Sequence, residues 1–395
     1  MSPSSSPVFP DDIIAEILSW LTVKPLLKMK CVSKLWNTLI SDSNFVKMHL
    51  NRSARHSQSY LVSEQRCDYS FVPFSVDGLM NDRSITLPND RYYRLSDKDC
   101  SGVVGSCNGL VCLSGYSFNE FYDPDDEEND ENEYEETWLR IWNPATRTMS
   151  DKFGYLRDDQ VKYGQFVFGY DNSTDTYKVV ALHMGSNMTT DVQVLSFGNN
   201  IWRNIQSFPL RLLQLSFNNN NCAVYAGVHF NCTVNWLAMI KDGNLAPQFV
   251  ILLLDLSTET YTQFLPPPIS LEVSHVLMKV SHAWPGVSVL MDSLCLYHDY
   301  KETDFVIWKM TKFGDENSWA QLLKISYHNL QMNLKPGISM FNLYVNGDTL
   351  VFVDDQKKRA ILYNWRNNRV VKTRINKKIC WFSLNHYVES LVSTS

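Results

Sequence analysis

The sequence predicts two parts of different fold class: a small all-α module at the N-terminus and an all-β propeller with six blades or, as the alternative, seven. Three observations predict this division. Helical periodicity is confined to the N-terminal residues, a unit of strands and turns recurs after them, and unmatched strands remain at both ends of the repeat. We therefore expect a disordered N-terminus, a helical module, a linker and a propeller at residues 1–8, 9–50, 51–58 and 59–392.

The helical module begins with a helix-start signal. Pro10 is tolerated in the first turn of a helix, and the carboxylates of Asp11 and Asp12 favour the positive end of the helix dipole. Thr22 can cap a second helix, and a third helix carries Trp36. The first helix has a wide apolar stripe made of Ile13, Ile14, Ile17, Leu18 and Leu21. Roughly forty residues cannot bury so many large side chains, so we expect the module to rest on a partner.

A strand-and-turn unit recurs with a nearly constant period in the second part. Each unit has an apolar strand, a variable loop, an alternating strand, a polar turn and a short closing strand. Equivalent turn positions lie 53, 59, 54 and 55 residues apart, at Asn143, Ser196, Asp255, Lys309 and Asn364. A period near fifty with three or four short strands is typical of propeller blades, which cover both of their faces only in a closed ring. The repeat therefore predicts five internal blades.

Strands outside these five units predict how the ring closes. Residues 59–63, 67–74 and 379–392 have strand character, and they can share one composite blade that joins the two ends of the propeller. This blade brings the predicted count to six. Residues 75–105 have no clear assignment, which leaves seven blades as the alternative.

The net charge of −6 comes from one stretch of the chain. Residues 120–136 contain eleven acidic side chains and no basic ones, so the remainder of the chain sums to −6 + 11 = +5. Such a run repels itself and stays solvated, which predicts a disordered insertion between two strands. It either serves solubility alone or attracts a basic partner, in which case salt would weaken the attraction.

The composition also indicates a cellular compartment. The chain has no run of eighteen apolar residues, and residues 1–12 lack the basic-then-apolar order of a signal peptide. The nine cysteines form no CxxC pair, which fits reduced thiols. We therefore expect a protein of the cytoplasm, the nucleus or both, without a membrane segment.

Residues that could perform catalysis or hold a ligand do not form a recognisable set. Asp171, Ser173 and Asp175 resemble the start of a calcium loop, but the sixth position is not glycine and Leu182 stands in place of the final glutamate. A hairpin turn is the better interpretation. No Gly-x-Ser-x-Gly motif is present, the histidines occur singly, and the basic residues are dispersed. We therefore predict no enzyme, no cofactor, no metal and no nucleic-acid partner.

Six tryptophans recur at blade-equivalent strand positions. An exposed ring of them could stack on sugars or bases, but packing is the favoured interpretation because a large rigid side chain fills the wedge between adjacent sheets. These residues are Trp142, Trp202, Trp236, Trp308, Trp319 and Trp365.

Several motifs of the helical module occur together. They are Phe9-Pro10, Glu16-Ile17-Leu18, Leu26-Leu27-Lys28, Cys31-Val32-Ser33-Lys34 and Trp36. With these motifs, residues 9–46 resemble an F-box, with which a subunit docks on the Skp-type adaptor of a cullin-based ubiquitin ligase. Two positions depart from the commonest form: Phe9 stands where Leu would precede Pro10, and Thr22 stands where a second Pro would occur.

The resemblance implies binding to the Skp-type adaptor and, through it, to cullin. The apolar surplus of the module supports the same expectation. The residues expected at the adaptor interface, with Lys28 at its rim, are Phe9, Pro10, Ile13, Ile17, Leu18, Leu21, Val23, Leu26, Leu27, Lys28, Met29 and Trp36.

The strand units also carry motifs, among them Trp142-Asn143-Pro144-Ala145-Thr146, Phe168-Gly169-Tyr170-Asp171 and Tyr387-Val388-Glu389-Ser390-Leu391. In these motifs residues 100–390 resemble the F-box-associated domain of plant F-box proteins, including the F-box/kelch-repeat and S-locus F-box groups. The resemblance implies a non-catalytic adaptor that holds a target protein for ubiquitination. Two alternatives stay open: an enzyme or sugar-binding propeller that carries an F-box, and an adaptor-binding protein that delivers no target for degradation.

Target recognition is expected on loops at one face of the propeller, since loops vary while strands hold the scaffold. The candidate segments are 120–136, 183–191 and 215–221, and their charge favours a basic target protein. The candidate residues are Glu120, Asp125, Asp126, Glu127, Glu128, Asp130, Glu131, His183, Asn187 and Asn219.

Overall fold

The computed structural model describes most of the chain, with gaps. The described residues are 10–56, 60–65, 70–75, 84–85, 95–97, 99–100, 102–120, 133–158, 165–184, 190–208, 227–240, 248–267, 285–301, 303–330, 341–354, 359–375 and 380–394.

The N-terminal part is helical, as predicted. Its helices are α1 Asp11–Leu18, α2 Val23–Lys30, α3 Lys34–Ser41 and α4 Ser43–His56. Pro10 and Thr22 stand at the N-caps of α1 and α2, but the Thr22 hydroxyl makes no capping hydrogen bond. Ser33 caps α3, because its hydroxyl accepts from the Trp36 N–H at 3.1 Å.

The prediction of three helices was wrong, because it missed α4. The side chain of Asp42 accepts from the N–H groups of Asn44 at 2.9 Å and Phe45 at 3.2 Å, so it caps the first turn of α4. Residues 51–56, predicted as linker, form the last turns of this helix. Asp42, which directly precedes the first residue of α4, is of a type that commonly caps helices, and this was the signal available in the sequence.

The remaining described elements are strands, apart from a short 3-10 helix at Glu316–Ser318. The first four are β1 Tyr60–Gln65, β2 Ser70–Ser75, β3 Ser84–Ile85 and β4 Leu95–Ser96. The first internal blade contains β5 Gly102–Cys107, β6 Leu110–Glu120, β7 Glu133–Asn143, β8 Thr148–Met149 and β9 Phe153–Asp158. The second contains β10 Gln165–Asp171, β11 Thr176–Met184, β12 Thr190–Ser196 and β13 Trp202–Asn204.

Three more internal blades follow the same order. The third contains β14 Val228–Phe230, β15 Thr233–Ile240, β16 Gln248–Asp255 and β17 Tyr261–Phe264. The fourth contains β18 Gly286–Leu290, β19 Ser293–Tyr300, β20 Asp304–Met310 and β21 Trp319–Ser326. The fifth contains β22 Phe341–Asn346, β23 Thr349–Asp354, β24 Arg359–Asn364 and β25 Arg369–Ile375, and the final strand is β26 Cys380–Tyr387.

The predicted composite blade is confirmed. In its sheet the strand order is β26-β1-β2-β4, and Tyr60 lies opposite Tyr387 in the antiparallel pair of β1 and β26. The ends of the propeller are therefore joined by hydrogen bonds between strands. With the five internal blades, the described residues form six sheets.

Residues 75–105 do not supply a seventh blade within the part of the chain that the structure describes. Residues 84–85 form β3, which pairs in parallel with the outer strand β25 of the fifth blade, and residues 95–96 form β4 at the edge of the composite blade. The segment thus adds edge strands to two neighbouring sheets.

The antiparallel order of the strands gives the propeller two different faces. In each internal blade, the connection from the first strand to the second and that from the third to the fourth lie at the same end, for example the short turns at residues 108–109 and 144–147. We call this end the turn face. The other connections depart from the opposite end, the loop face, where β6 ends and β7 begins. First strands of successive blades contact one another, and β26 contacts β5.

The blades are held together by alternating apolar side chains. In β12, Val192 and Val194 are buried, whereas Asp191 is exposed and Gln193 between the two valines is half-buried. Val194 packs in one cluster with Trp236 and Leu252 of the third blade. The six recurring tryptophans are all at least half-buried, which fits the predicted role in packing.

Candidate docking surface

The helical module has a core of its own that also includes residues of the propeller. Leu18, Val23, Leu26, Ile40 and Phe45 are buried in one cluster, together with Ala145 from the turn after β7 and Leu391 from the C-terminal segment. Leu18, Val23 and Leu26 were predicted at the adaptor interface. In this chain they are core residues instead, because their neighbours are helices of the same module and the turn face of the propeller.

A second set of apolar side chains is left exposed. We call Ile13, Ile17, Trp20, Val32 and Leu35 the apolar surface; each is between 46% and 70% exposed. Ile13 and Ile17 were predicted to dock, whereas Trp20, Val32 and Leu35 were not. Trp20 follows Ile13 and Ile17 at i+7 and i+3, so helical spacing could have identified it.

The other residues predicted at the adaptor interface are exposed or half-buried where the structure describes them. Pro10 and Lys28 are exposed, and the half-buried residues are Leu21, Leu27, Met29 and Trp36. Phe9 lies outside the described residues.

Helix α4 positions the end of α1 and the Trp20 ring. The Arg52 guanidinium lies 4.9 Å from the centroid of the Trp20 ring, and its nitrogens donate to the Glu16 carboxylate at 2.5 Å and to the Glu16 carbonyl at 2.9 Å. The Ser19 hydroxyl accepts from the same guanidinium. One side chain of α4 therefore holds both the backbone of α1 and a ring of the apolar surface.

His49 forms a second link from α4. It is fully buried, and its Nε2 donates to the Leu21 carbonyl at 2.9 Å, while the Ser53 hydroxyl lies 3.5 Å from Nδ1. Burial lowers the pKa of His49, although the hydrogen bond to Leu21 opposes this effect. The neutral imidazole therefore anchors the turn between α1 and α2.

The module sits on the turn face. Ala145 lies in the turn between β7 and β8, and Lys47 of α4 pairs at 2.7 Å with Asp175 in the turn between β10 and β11. The loop face is thus at the opposite end of the strands from the module.

The predicted target-binding residues are only partly placed. Glu120 ends β6, and His183 lies in β11 with its Nε2 3.1 Å from Gln193 Oε1. The residues Asp125, Asp126, Glu127, Glu128, Asp130, Glu131, Asn187 and Asn219 lie outside the described residues. Residues 133–136 belong to β7, so the predicted disordered insertion extended too far at this end.

Nucleophilic and metal-binding side chain types also occur among the described residues. Cys107 Sγ lies 3.6 Å from His229 Nδ1, but burial raises the pKa of the Cys107 thiol to about 12, so this thiol is not an activated nucleophile. No group of three or more His, Cys, Asp or Glu side chains in the described part of the chain is arranged to hold a metal. Among the described helices, none combines the length and apolar character needed to cross a membrane.

Comparison with known proteins identifies both parts of the chain. A family model for the F-box domain matches residues 8–48, and one for the F-box associated beta propeller domain matches residues 130–394. The chain belongs to the F-box-associated β-propeller family. It is an F-box protein with a propeller-like associated domain, as its sequence motifs predict.

Relatives of this F-box protein cover nearly all of its length. An F-box/kelch-repeat protein of Arabidopsis thaliana is 26% identical over 381 residues, which cover 93% of this chain and 90% of the relative. The F-box protein CPR1 of the same plant is 24% identical over 400 residues, with 95% and 82% covered. A solved chain of the nidogen/laminin complex is 9% identical, with 84% of this chain and 99% of that one covered. Its TM-score of 0.43 is too low to support a structural relationship.

Proposed function

We propose that this F-box protein is the target-binding subunit of a ubiquitin ligase built on a Skp-type adaptor and a cullin. The F-box docks on the adaptor through the apolar surface, and the propeller holds a target protein. The observation that carries the proposal is the apolar surface itself. Five large side chains stay 46–70% exposed although the module has a buried apolar core, and burying the exposed part of each under a partner contributes roughly half of the 1.5–3 kcal/mol that a whole side chain contributes.

The protein contributes proximity and no chemistry of its own. A target held on the propeller meets the activated ubiquitin of the recruited conjugating enzyme at a high effective concentration. The loop face is the proposed site for the target, because it lies away from the F-box and because the acidic segment 121–132 departs from it. That segment favours a basic target.

The adaptor-binding step is tested by an exposed-to-charged substitution. Ile17→Glu places a carboxylate in the proposed interface, which lowers the affinity for a purified Skp-type adaptor by tenfold or more, about 1.4 kcal/mol. Ile201→Glu in the propeller is the matched control, because Ile17 is 59% exposed and Ile201 is 58% exposed. Both variants should keep the melting temperature of the parent. Equal adaptor affinity in the two variants would contradict the proposal.

Leu18 is unsuitable for this test. It belongs to the buried core of the module, so Leu18→Asp would unfold the F-box whether or not an adaptor binds.

Delivery of a target is a separate question from adaptor binding. In a reconstituted ligase, a receptor carries a specific protein that becomes ubiquitinated, whereas an adaptor-binding protein without a delivery role does not. Purification through a ligase that traps modified targets distinguishes the two.

We also place the protein in the cytoplasm or the nucleus. Six cysteines are free thiols, which suits a reducing compartment: Cys31, Cys100, Cys107, Cys112, Cys232 and Cys295. Imaging of a fluorescent fusion in plant cells tests this placement.

A further inference from the structure

The segment after β26 is largely buried although it has no regular secondary structure. Residues 388–394 form no helix or strand, yet Glu389, Ser390, Leu391 and Thr394 are buried. Irregular segments of most proteins run over the surface. Here the segment is held on two sides.

On one side, Asn143 at the end of β7 holds the segment to the propeller. Its Nδ2 donates to the Ser390 carbonyl at 3.0 Å and to the Val392 carbonyl at 2.8 Å. Its Oδ1 accepts from the N–H groups of Ala145 at 3.0 Å and Thr146 at 3.2 Å, which forms the turn. A single buried amide thus shapes the turn and holds the segment.

The turn between β5 and β6 is also shaped to receive the segment. Gly109 has a φ of +80°, and a Cβ at this position would lie 2.2 Å from Ser390 Oγ and 2.7 Å from the Val388 carbonyl. Only glycine combines this backbone conformation with such a close approach.

On the other side, the segment reaches into the F-box. Leu391 belongs to the same buried cluster as Leu18, Val23 and Leu26, and Ala145 completes that cluster from the turn held by Asn143. The ion pair of Lys47 and Asp175 also joins the two parts, but both side chains are more than half exposed, so it contributes little. The apolar contact through Leu391 is therefore the stronger of these two connections.

We propose that residues 388–394 are a positioning element that fixes the F-box on the turn face. Leu391 within this element and Asn143, which holds it from β7, are the positioning residues. The rigid joint holds a bound target at a constant distance from the adaptor. Loosening the joint spreads the target over many positions and lowers its effective concentration at the activated ubiquitin. The consequence for ubiquitin transfer rests on the proposed function, whereas the rigidity of the joint does not.

The sharpest variant is Asn143→Asp. A carboxylate still accepts from Ala145 and Thr146, but it can no longer donate to Ser390 and Val392. The turn itself tolerates aspartate, since Asp255 accepts from Ser257 and Thr258 in the equivalent turn of the third blade. Asn364→Asp in the fifth blade is the matched control, because Asn364 Oδ1 accepts from the Asn367 N–H while its Nδ2 donates to the Thr349 hydroxyl of the same blade.

A second variant removes the segment directly. A chain that ends after Tyr387 keeps β26 and its pairing with β1 but lacks both contacts. This variant keeps the proposal testable even if the buried carboxylate of Asn143→Asp unfolds the turn.

The joint is measured on the full chain with spin labels at the exposed positions Asn44 in α4 and Asn199 in the propeller. The parent and Asn364→Asp should give one narrow distance distribution. Asn143→Asp and the shortened chain should give a distribution at least twice as broad, with the adaptor affinity unchanged. A narrow distribution in the shortened chain would overturn the proposal.

Ubiquitin transfer supplies the second measurement. With target affinity unchanged, the maximal rate of transfer should fall about tenfold in the two loosened variants and stay unchanged in Asn364→Asp. A broad distribution with an unchanged rate would leave a flexible joint without a positioning role and so overturn that part of the proposal. Failure of the parent to bind the adaptor would instead refute the proposed function and leave the distance result standing.

Discussion

Buried polar side chains link separate parts of this molecule. Lys178 is buried, and its Nζ lies 3.1 Å from Asp171 Oδ2 and 3.1 Å from Glu259 Oε1, so it joins the second and third blades. Burial alone would raise the pKa of Asp171, but hydrogen bonds from Ser173, Thr174 and Lys178 hold it well below its ordinary value. Inside the F-box, the neutral side chain of His49 likewise links α4 to the turn between α1 and α2.

His49 makes the F-box sensitive to acid. Its pKa is lower in the folded chain than the unfolded value near 6.5, so below that pH the unfolded state takes up a proton that the folded state refuses. Stability is therefore fully present above pH 6.5 and falls as the pH drops, by at most about 1.4 kcal/mol per pH unit for one histidine.

The variant His49→Gln keeps a donor for the Leu21 carbonyl and removes the titration. Its melting temperature should fall less than that of the parent between pH 6.5 and pH 5. Half-buried His229 and buried His298, whose pKa values are also lowered by burial, remain in both proteins and cancel in the comparison. Parallel pH profiles would show that His49 does not contribute.

At the scale of elements, the first strands of adjacent blades pack at short distances from each other. Gly169 in β10 faces His229 of β14, whose ring nitrogen Nε2 lies 3.1 Å from the Tyr170 backbone nitrogen. A Cβ on Gly169 would lie 2.6 Å from the His229 ring and 2.8 Å from Leu256. Neither neighbour is free to retreat, because the second and third blades are packed against each other.

Gly169→Ala should therefore destabilise the propeller by about 1–3 kcal/mol, the usual cost of overpacking. Gly105→Ala is the milder comparison, since its Cβ would lie 3.3 Å from Phe168 Cβ. Chemical denaturation of both variants measures the difference. If the two substitutions cost the same, the contact between β10 and β14 is not as rigid as the distances indicate.

At the scale of the whole molecule, the F-box lies at one end of the strands, and the strand ends that flank the acidic segment lie at the other. Helix α4 and the C-terminal segment meet the turn face, while β6 ends and β7 begins at the loop face. The two ends should therefore act independently, each with its own partner.

Neutralising the acidic segment tests this separation. Residues 121–132 contain seven of the eleven acidic side chains, since Glu120, Glu133, Glu135 and Glu136 lie in strands (11 − 4 = 7). Replacing these seven by Asn and Gln should leave adaptor affinity unchanged and abolish the salt-sensitive binding of a basic target. Titration with the adaptor, and with a target identified by trapping, at low and high salt provides the measurement. A loss of adaptor affinity would contradict the separation.

Local patterns in the sequence were sufficient for much of the fold. The intervals between Asn143 and Asn364 predicted five blades, and the unmatched strands at both ends predicted the composite blade, because strand and turn preferences depend on neighbouring residues. Helix α4 was missed although Asp42 marks its start. The strands at residues 84–85 and 95–96 could not be predicted, because two-residue strands have no periodicity and form only where a neighbouring sheet has an unpaired edge strand.

By itself the sequence determined the F-box, the kind of blade and the closure of the ring, since these follow from short-range periodicity and recognisable motifs. Only the tertiary structure decided which apolar side chains of the F-box remain available to a partner. Leu18 and Ile17 are adjacent in one stripe, yet Leu18 is covered in a cluster with Ala145 and Leu391 while Ile17 is left bare. Those covering residues lie far away in the chain, and a helical pattern shows that a face is apolar without showing what will cover it.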